Sequence, residues 1–390
     1  MREASFPVGA AVGLEDLELD PHPLLARLRE REPVSWLPVL DGWLVTRRDL
    51  ALDVMRDPGT FTVDDPRFST QRVVGPSMLT LDGAEHDRHR GPFARHFRLE
   101  EVRERFTAIV DAETERLIDA LEPQGRAELR RGLAGPLAAT LVAHALGLGE
   151  VDPAAILGWY DAIVASVTGL AAGRPVTPAA KEAFAALRSS VEPALERDPR
   201  SSLVAAAGRS GDLTRAEVVS NAAVLMFGGI ETTEGMIANA ILHLLAHPEQ
   251  QALVEADRGL LPNAVEESLR LEPAAASIDR YATRDVRVGG ASIASGELVS
   301  VSIAGANRDP DFFNDPDRFD VRRKEARHQI AFAHGPHVCI GMHLARLEAH
   351  TAIGRLLDRL PRLRLDPARP SAPRGLVFRK PPALHVQWEV

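Results

Sequence analysis

Cysteine is almost missing from this chain. Cys339 is the single one in 390 residues, which excludes an intrachain disulfide framework and fits a reducing compartment. An excess of positive charge is missing as well, and the net charge of −9 argues against general nucleic-acid binding. Apolar stretches are broken by Gly, Pro, His or charge short of a bilayer span. The start, MREASFPVGAAVGLEDLELD, offers only a short weakly apolar segment ahead of an acidic one. A soluble, cytoplasmic protein with no membrane partner is expected. Internal repeats, low-complexity tracts and dividing linkers are absent too, so residues 1–390 read as one domain. With 45% apolar and 26% charged residues, the chain can bury an ample core.

What is present is mostly helical pattern with a smaller β region. Val34 to Val39 and Trp43 to Thr46 read as strands joined at Asp41-Gly42, a favoured hairpin dipeptide. Leu99 to Leu121 and Leu133 to Leu146 follow as helices, the second more apolar and therefore more central. Ala154 to Leu170 and Pro178 to Leu195 form a helix pair joined by the link 171–175. Thr214 and Glu217 offer a capping box, and helical pattern then runs to His247, roughly 50 Å at about 1.5 Å per residue. Asn263 to Leu271 is another helix, stopped by Pro273. Short strands are expected near 33–46, 281–305 and 375–390.

Cys339 lies in Phe332-Ala333-His334-Gly335-Pro336-His337-Val338-Cys339-Ile340-Gly341, just before or within the first turn of an amphipathic helix starting near Met342. Gly335 and Gly341 allow tight turns and let the backbone lie flat against a macrocycle. A helix amino terminus favours an anion, and a metal would complete deprotonation of the thiol. Two readings are open for a lone thiol, an inert buried side chain and a thiolate ligand of haem iron. Both glycines, His337 and Phe332 at these offsets favour the ligand.

Three further patterns stand out. Met226-Phe227-Gly228-Gly229-Ile230-Glu231-Thr232-Thr233 lies in the middle of the long helix, and its glycines cost about 1 kcal/mol each against alanine. Either a ligand needs the room, with the helix locally unwound and wet, or the glycines form a packing notch and a threonine bonds back to a carbonyl. Glu267 and Arg270 make an ExxR pattern, weak alone, with Asp317-Arg318-Phe319 before the cysteine segment. His86 and Arg90, four apart, share a helix face.

Together these patterns resemble the cytochrome P-450 superfamily, the haem-thiolate monooxygenases, over nearly the whole chain, and look like its soluble bacterial type. The resemblance implies a long central helix crossing a haem, with short β-sheets. It implies Cys339 as the axial metal ligand of haem b (iron protoporphyrin IX), and Phe332 and Gly341 beside it. Gly228 and Gly229 would face the haem, and Glu231 with Thr232 would relay protons during oxygen activation. His86, Arg90, Arg280 and His337 would hold the propionates. Glu267, Arg270 and Arg318 would form a structural network, with the antiparallel pair near 154–195 as a mobile lid. The segments 60–80, 166–180 and 274–278, with Met226, Phe227, Ala275, Ile278, Val377 and Phe378, would line the substrate pocket. The small run Ala274-Ala275-Ala276-Ser277 fits a roomy pocket and backbone packing equally well.

The sequence departs from the family at three positions. Ala333 stands where glycine is frequent, and its methyl is tolerated if φ is negative. Gly228 in place of alanine should enlarge the oxygen pocket, and Ile230 in place of a polar residue should dry it. The implied activity is insertion of one oxygen atom of O2 into a C–H bond of a small organic molecule, expected to be a secondary metabolite. Electrons would come from NAD(P)H through a ferredoxin or flavodoxin-like donor and its reductase, docking near Arg88, Arg95 and Arg98, although charge clusters are often only solvated. A monomer is expected. Oxidative coupling without oxygen insertion, a non-catalytic haem-binding protein and a helical scaffold with a structural cysteine remain open here.

Overall fold

The chain is described by a computed structural model covering residues 2–171 and 174–390, so positions 172 and 173 of the lid link lie outside the described residues. The helices that frame the site are α1 Gly83–Ala94, α2 Leu99–Leu121, α3 Gly135–Leu146, α4 Pro153–Ala171, α5 Pro178–Ala194, α6 Arg215–Ala246, α7 Leu261–Leu271 and α8 Met342–Arg359. Helix α6 has 32 residues, and Thr214 and Glu217 form the expected capping box at its start. Most of its residues are buried, because α3, α5, α7 and α8 all pack against it. It is continuous through Gly228 and Gly229, contrary to the expected local unwinding. Packing of the surrounding helices holds it regular, and the Thr232 hydroxyl, donating to the Gly228 carbonyl at 2.7 Å, sits within the unbroken turn.

Helix α3 is as central as its composition implied, with ten of its residues buried. It is entered through a π turn at Arg130–Ala134, where the sequence had suggested regular helix from Leu133. The extra residue in that turn projects Arg130 and Arg131 toward α6, a common use of π geometry. Helix α4 corrects another expectation. Pro153–Leu170 is long and apolar enough to cross a membrane, with a mean hydropathy of 1.3, and it packs on α3, α5 and α6.

The strands make three sheets. The largest has the order β1 Val34–Leu37, β2 Gly42–Val45, β8 Leu298–Ser302, β5 Ser277–Ala282 and β3 Phe61–Thr62. The predicted hairpin pairs Val34 with Val45, and Asp41 adopts φ 47° at the turn, although Pro38–Leu40 is a 3₁₀ turn rather than strand. β4 Arg126–Glu128, β10 His385–Gln387 and β9 Arg364–Leu365 form the second sheet, and β6 Val286–Val288 with β7 Ala291–Ile293 the third. The tail from 375 is less strand-like than expected. Outside β10 it holds the isolated bridges Ala275–Phe378 and Arg374–Lys380, since Pro381 and Pro382 cannot donate to a ladder.

Candidate active site

The segment before α8 is shaped by two close approaches. Gly335 sits at φ +75°, and a Cβ there would lie 2.4 Å from the Met55 carbonyl oxygen, so only glycine fits. Gly341 has an ordinary φ of −87° and faces open space. The backbone N–H of Cys339 donates to the Phe332 carbonyl at 2.8 Å, which closes the loop around the thiol. Cys339 lies deep in the protein yet retains some accessible surface. Burial pushes the thiol pKa up, while the Gly341 N–H, Arg90 and Arg346 act the other way. Arg346 lies 4.5 Å over the Phe332 ring and pairs with Glu266 at 2.6 Å, which fixes the segment from the sulfur side.

Ala333 overturns the condition set for its tolerance. Its φ is +61°, the left-handed region, where a methyl costs about 1–2 kcal/mol.

The four predicted anion-binding residues converge. His86 is 3% exposed, its Nε2 has no partner among the described residues, and its ring lies 4.4 Å from that of His337. Arg90 reaches the Val338 carbonyl at 2.7 Å, tying α1 to the cysteine segment. Arg280 is 5% exposed, and its side chain makes one hydrogen bond among the described residues, to the Asp279 carbonyl, and no ion pair. His337 lies 2.7 Å from Asp82, a carboxylate missed in the sequence. Burial would raise the pKa of Asp82, but bonds from His337, Thr62 and the Val63 N–H outweigh it and lower the value to about 2. Asp82 stands four residues before His86 at the start of α1, and that spacing was the available signal.

A buried arginine without a carboxylate partner and a buried imidazole with one nitrogen left over, beside a partly accessible thiol, fit a flat ligand with acidic substituents and a thiophilic metal. Haem has that chemistry.

The two glycines of α6 divide. A Cβ on Gly228 would meet nothing within 4 Å, whereas one on Gly229 would lie 2.6 Å from Val142 Cγ2. Gly228 therefore gives room and Gly229 is a packing notch. Phe227 meets Phe378 edge-on at 5.4 Å, and Phe378 bridges to Ala275, so α6 and the segment before β5 share one wall, whereas Ile278 packs against the sheet-side core. Met226 does not belong to that wall. It is fully buried in the helical core and shows no surface to a cavity.

Glu231 is far from free. Lys380 Nζ is 2.9 Å from its Oε1, and the Tyr160 hydroxyl donates to its Oε2. Lys380 also meets Glu234 at 2.6 Å, and Arg130 and Arg131 each approach Glu234 to 3.3 Å. Burial, and then the neighbouring Glu231, push the Tyr160 pKa far up, so the phenol keeps its proton and donates. None of these partners was foreseen. Glu234 is one turn beyond Glu231, and Lys380 is two residues beyond Phe378.

The structural network needs one correction. Arg270 clasps Glu267 through two bonds, at 2.7 and 2.8 Å, but the third member is Arg323, 2.9 Å from Glu267, and not Arg318. Arg318 is exposed and contributes only its carbonyl, which accepts from Arg270 and Arg323. The Asp320 N–H bonds to Glu267 Oε1 at 3.1 Å, and that turn carries Arg323 inward. The predicted basic surface also thins. Arg88 is taken by Glu85 and Glu217, while Arg95 and Arg98 remain exposed, Arg95 beside a surface groove of about 460 Å³.

Comparison with known proteins agrees with this geometry. The profile of the Cytochrome P450 family matches residues 179–385. The chain is 38% identical to Cytochrome P450 monooxygenase PikC of Streptomyces venezuelae, covering 90% of this chain and 86% of that one. It is 33% identical to 20-oxo-5-O-mycaminosyltylactone 23-monooxygenase of Streptomyces fradiae, covering 87% and 82%. Among solved structures, cytochrome P450 CYP109Q5 from Chondromyces apiculatus superposes with a TM-score of 0.86 at 29% identity, covering 97% of each chain.

Proposed function

The chain belongs to the cytochrome P450 family, and from that premise we propose a haem b monooxygenase, with Cys339 as the iron ligand, that hydroxylates a small organic molecule. Members of this family are haem-dependent oxidoreductases that receive electrons from redox partners. Bound haem supplies dioxygen activation and O–O cleavage, favoured by thiolate ligation.

The chain's own residues hold, orient and supply protons. The observation that carries this reading is the single thiol, partly accessible on a segment closed by its own N–H onto Phe332 and tied to Arg90. Arg280, His86, Arg90 and His337 are assigned to the propionates, with Asp82 orienting His337. Thr232 donates to the Gly228 carbonyl, so its oxygen keeps lone pairs that can accept a hydrogen bond and hold a water in place, while Glu231 would supply the proton through that water. Gly228 leaves space for dioxygen. Phe227, Phe378 and Ala275 make an apolar wall for the substrate, so orientation comes from shape and the oxidising power from the cofactor.

A secondary metabolite is the substrate class supported by the relative that acts on a mycaminosyltylactone. A cytoplasmic monomer taking NAD(P)H electrons through a ferredoxin or flavodoxin-like donor and its reductase completes the reading, with Arg95 and Arg98 as docking cations. The test is the carbon monoxide complex of the reduced protein. The band of a thiolate-ligated haem is expected, and Cys339→His should replace it with a globin-like band. A globin-like band from the intact wild-type protein overturns the ligand assignment. For the relay, Thr232→Ala should lower product formed per electron, and unchanged coupling removes it.

A further inference from the structure

Lys380 lies between two buried carboxylates, with three polar contacts at its ammonium. Its ammonium donates to Glu234 Oε2 at 2.6 Å and to the Tyr160 hydroxyl oxygen at 3.0 Å, and forms an ion pair with Glu231 Oε1 at 2.9 Å. Tyr160 in turn donates to Glu231 Oε2, so both oxygens of Glu231 are engaged. The carboxylate is 4% exposed and cannot swing along α6 toward Thr232 without releasing one of these two partners.

The two partners are mounted differently. Lys380 follows Arg379, which is 2% exposed and bonds Glu272 at 2.7 Å and the carbonyls of Leu17, Glu18, Leu19, Pro373 and Gly375. That set of bonds fixes the backbone from which the lysine projects. Tyr160 instead belongs to α4, one of the pair expected to move. Lys380 is also the one group among the described residues that touches both Glu231 and Glu234. Through Glu234 it connects to Arg130 and Arg131, and Arg131 reaches the exposed Asp161 at 2.5 Å.

We propose that Lys380 is a positioning residue for oxygen activation, a fixed ammonium that sets the orientation of Glu231, with Tyr160 as its exchangeable second partner. This rests on the relay reading of Glu231 and Thr232. Lys380 does not touch the reacting atoms. It acts by limiting Glu231 to one pivot, so that release of the Tyr160 bond turns the acid toward Thr232 while its charge remains compensated.

The chain has three lysines, of which Lys181 and Lys324 are exposed, so the arrangement can be seen without turnover. In the holoenzyme labelled with ¹⁵N-lysine, one ammonium resonance should exchange slowly with water. It should disappear in Lys380→Arg and shift in Glu231→Gln. No protected ammonium, or one indifferent to Glu231→Gln, overturns the proposal.

With substrate and redox partner, Lys380→Met should lower product formed per electron by about tenfold, at nearly unchanged KM, and alter the solvent deuterium isotope effect. Lys380→Arg should recover most of the coupling, because charge and reach are kept. Tyr160→Phe should have the smaller effect. If Thr232→Ala uncouples the enzyme and Lys380→Met does not, Lys380 has no such role. If Thr232→Ala is without effect, the relay reading itself fails. Should Lys380→Met not fold, the arginine variant and the wild-type resonance still decide.

Discussion

Two clusters of buried glutamate, one at Glu267 and one at Glu231 and Glu234, are held by cations in different ways. Around Glu267 the donors are matched. Arg270 divides its guanidinium between the carboxylate and the carbonyls of Asn307, Pro316 and Arg318, and Arg323 does the same with Asn314, Asp315 and Arg318. Around Glu231 and Glu234 the match is incomplete. Arg130 Nε has no partner, and Glu234 Oε1 accepts no hydrogen bond among the described residues, although Arg131 Nε lies 3.3 Å away. A saturated cluster resists change and suits a scaffold beneath the cysteine segment. An under-saturated one can exchange partners at small cost, as the proposed proton relay requires.

The sharpest way to break this contrast is to remove one carboxylate from each cluster. Glu267→Gln leaves Arg270 and Arg323 buried without their counterion and should cost about 3–5 kcal/mol, read as a lowered urea midpoint or loss of soluble protein. Glu231→Gln keeps Lys380 paired with Glu234, so it should cost about 1–3 kcal/mol while coupling collapses. Equal losses of stability would erase the distinction.

A second test concerns the anchor of the segment that carries Lys380. Burial would raise the pKa of Glu272, but His22 and Arg379 outweigh it and lower the value to about 2. A depressed carboxylate contributes stability that is present above the unfolded value near 4 and lost as pH falls toward 2. The contribution is about 3 kcal/mol at neutral pH, by linkage. Glu272→Gln should therefore flatten acid unfolding between about pH 4 and pH 2 and weaken the protein at pH 7. An unchanged acid profile would show that the Glu272 bonds contribute little.

How far the sequence could be read follows the same division. Helix α6, its capping box, ExxR and the cysteine segment were legible because each is local, set by periodicity or by residues within a few positions. The partner of Glu267 was not. Arg318, Arg322 and Arg323 were all available, and the choice depended on the turn that bonds the Asp320 N–H to Glu267. Lys380 and Tyr160 lie 149 and 71 positions from Glu231 in sequence, and nothing local marks either for that contact. Side-chain contacts across such separations belong to tertiary packing, as does the π turn that aims Arg130 and Arg131.

The glycine pair sharpens the comparison between scaffold and site within a single helix. Gly229→Ala drives a methyl into Val142 and should destabilise by about 1–3 kcal/mol, less the roughly 1 kcal/mol that alanine gains in a helix. Gly228→Ala meets no clash and should stabilise by about 1 kcal/mol, while narrowing the space beside Thr232. Thermal melts and substrate titrations on the two variants separate the effects. Opposite signs in stability are expected, with loss of substrate or dioxygen access confined to Gly228→Ala.

The smallest effect is expected at Ala333, where a scaffold residue carries strain next to the site. Its left-handed φ of +61° costs about 1–2 kcal/mol for a residue with a Cβ. Glycine would relieve that strain but lose more backbone entropy on folding, about 0.5–1 kcal/mol. It would also remove a half-buried methyl packed beside Met55 and Ile330 in the sheet-side core, worth about half of the 0.8 kcal/mol of a fully buried one. The three contributions nearly cancel, so Ala333→Gly should move the melting temperature by no more than about 1 °C. A rise of several degrees would mean that the strain is larger than the dihedral implies and is held in place by the fixed segment that Gly335 and the Cys339 N–H close around the sulfur.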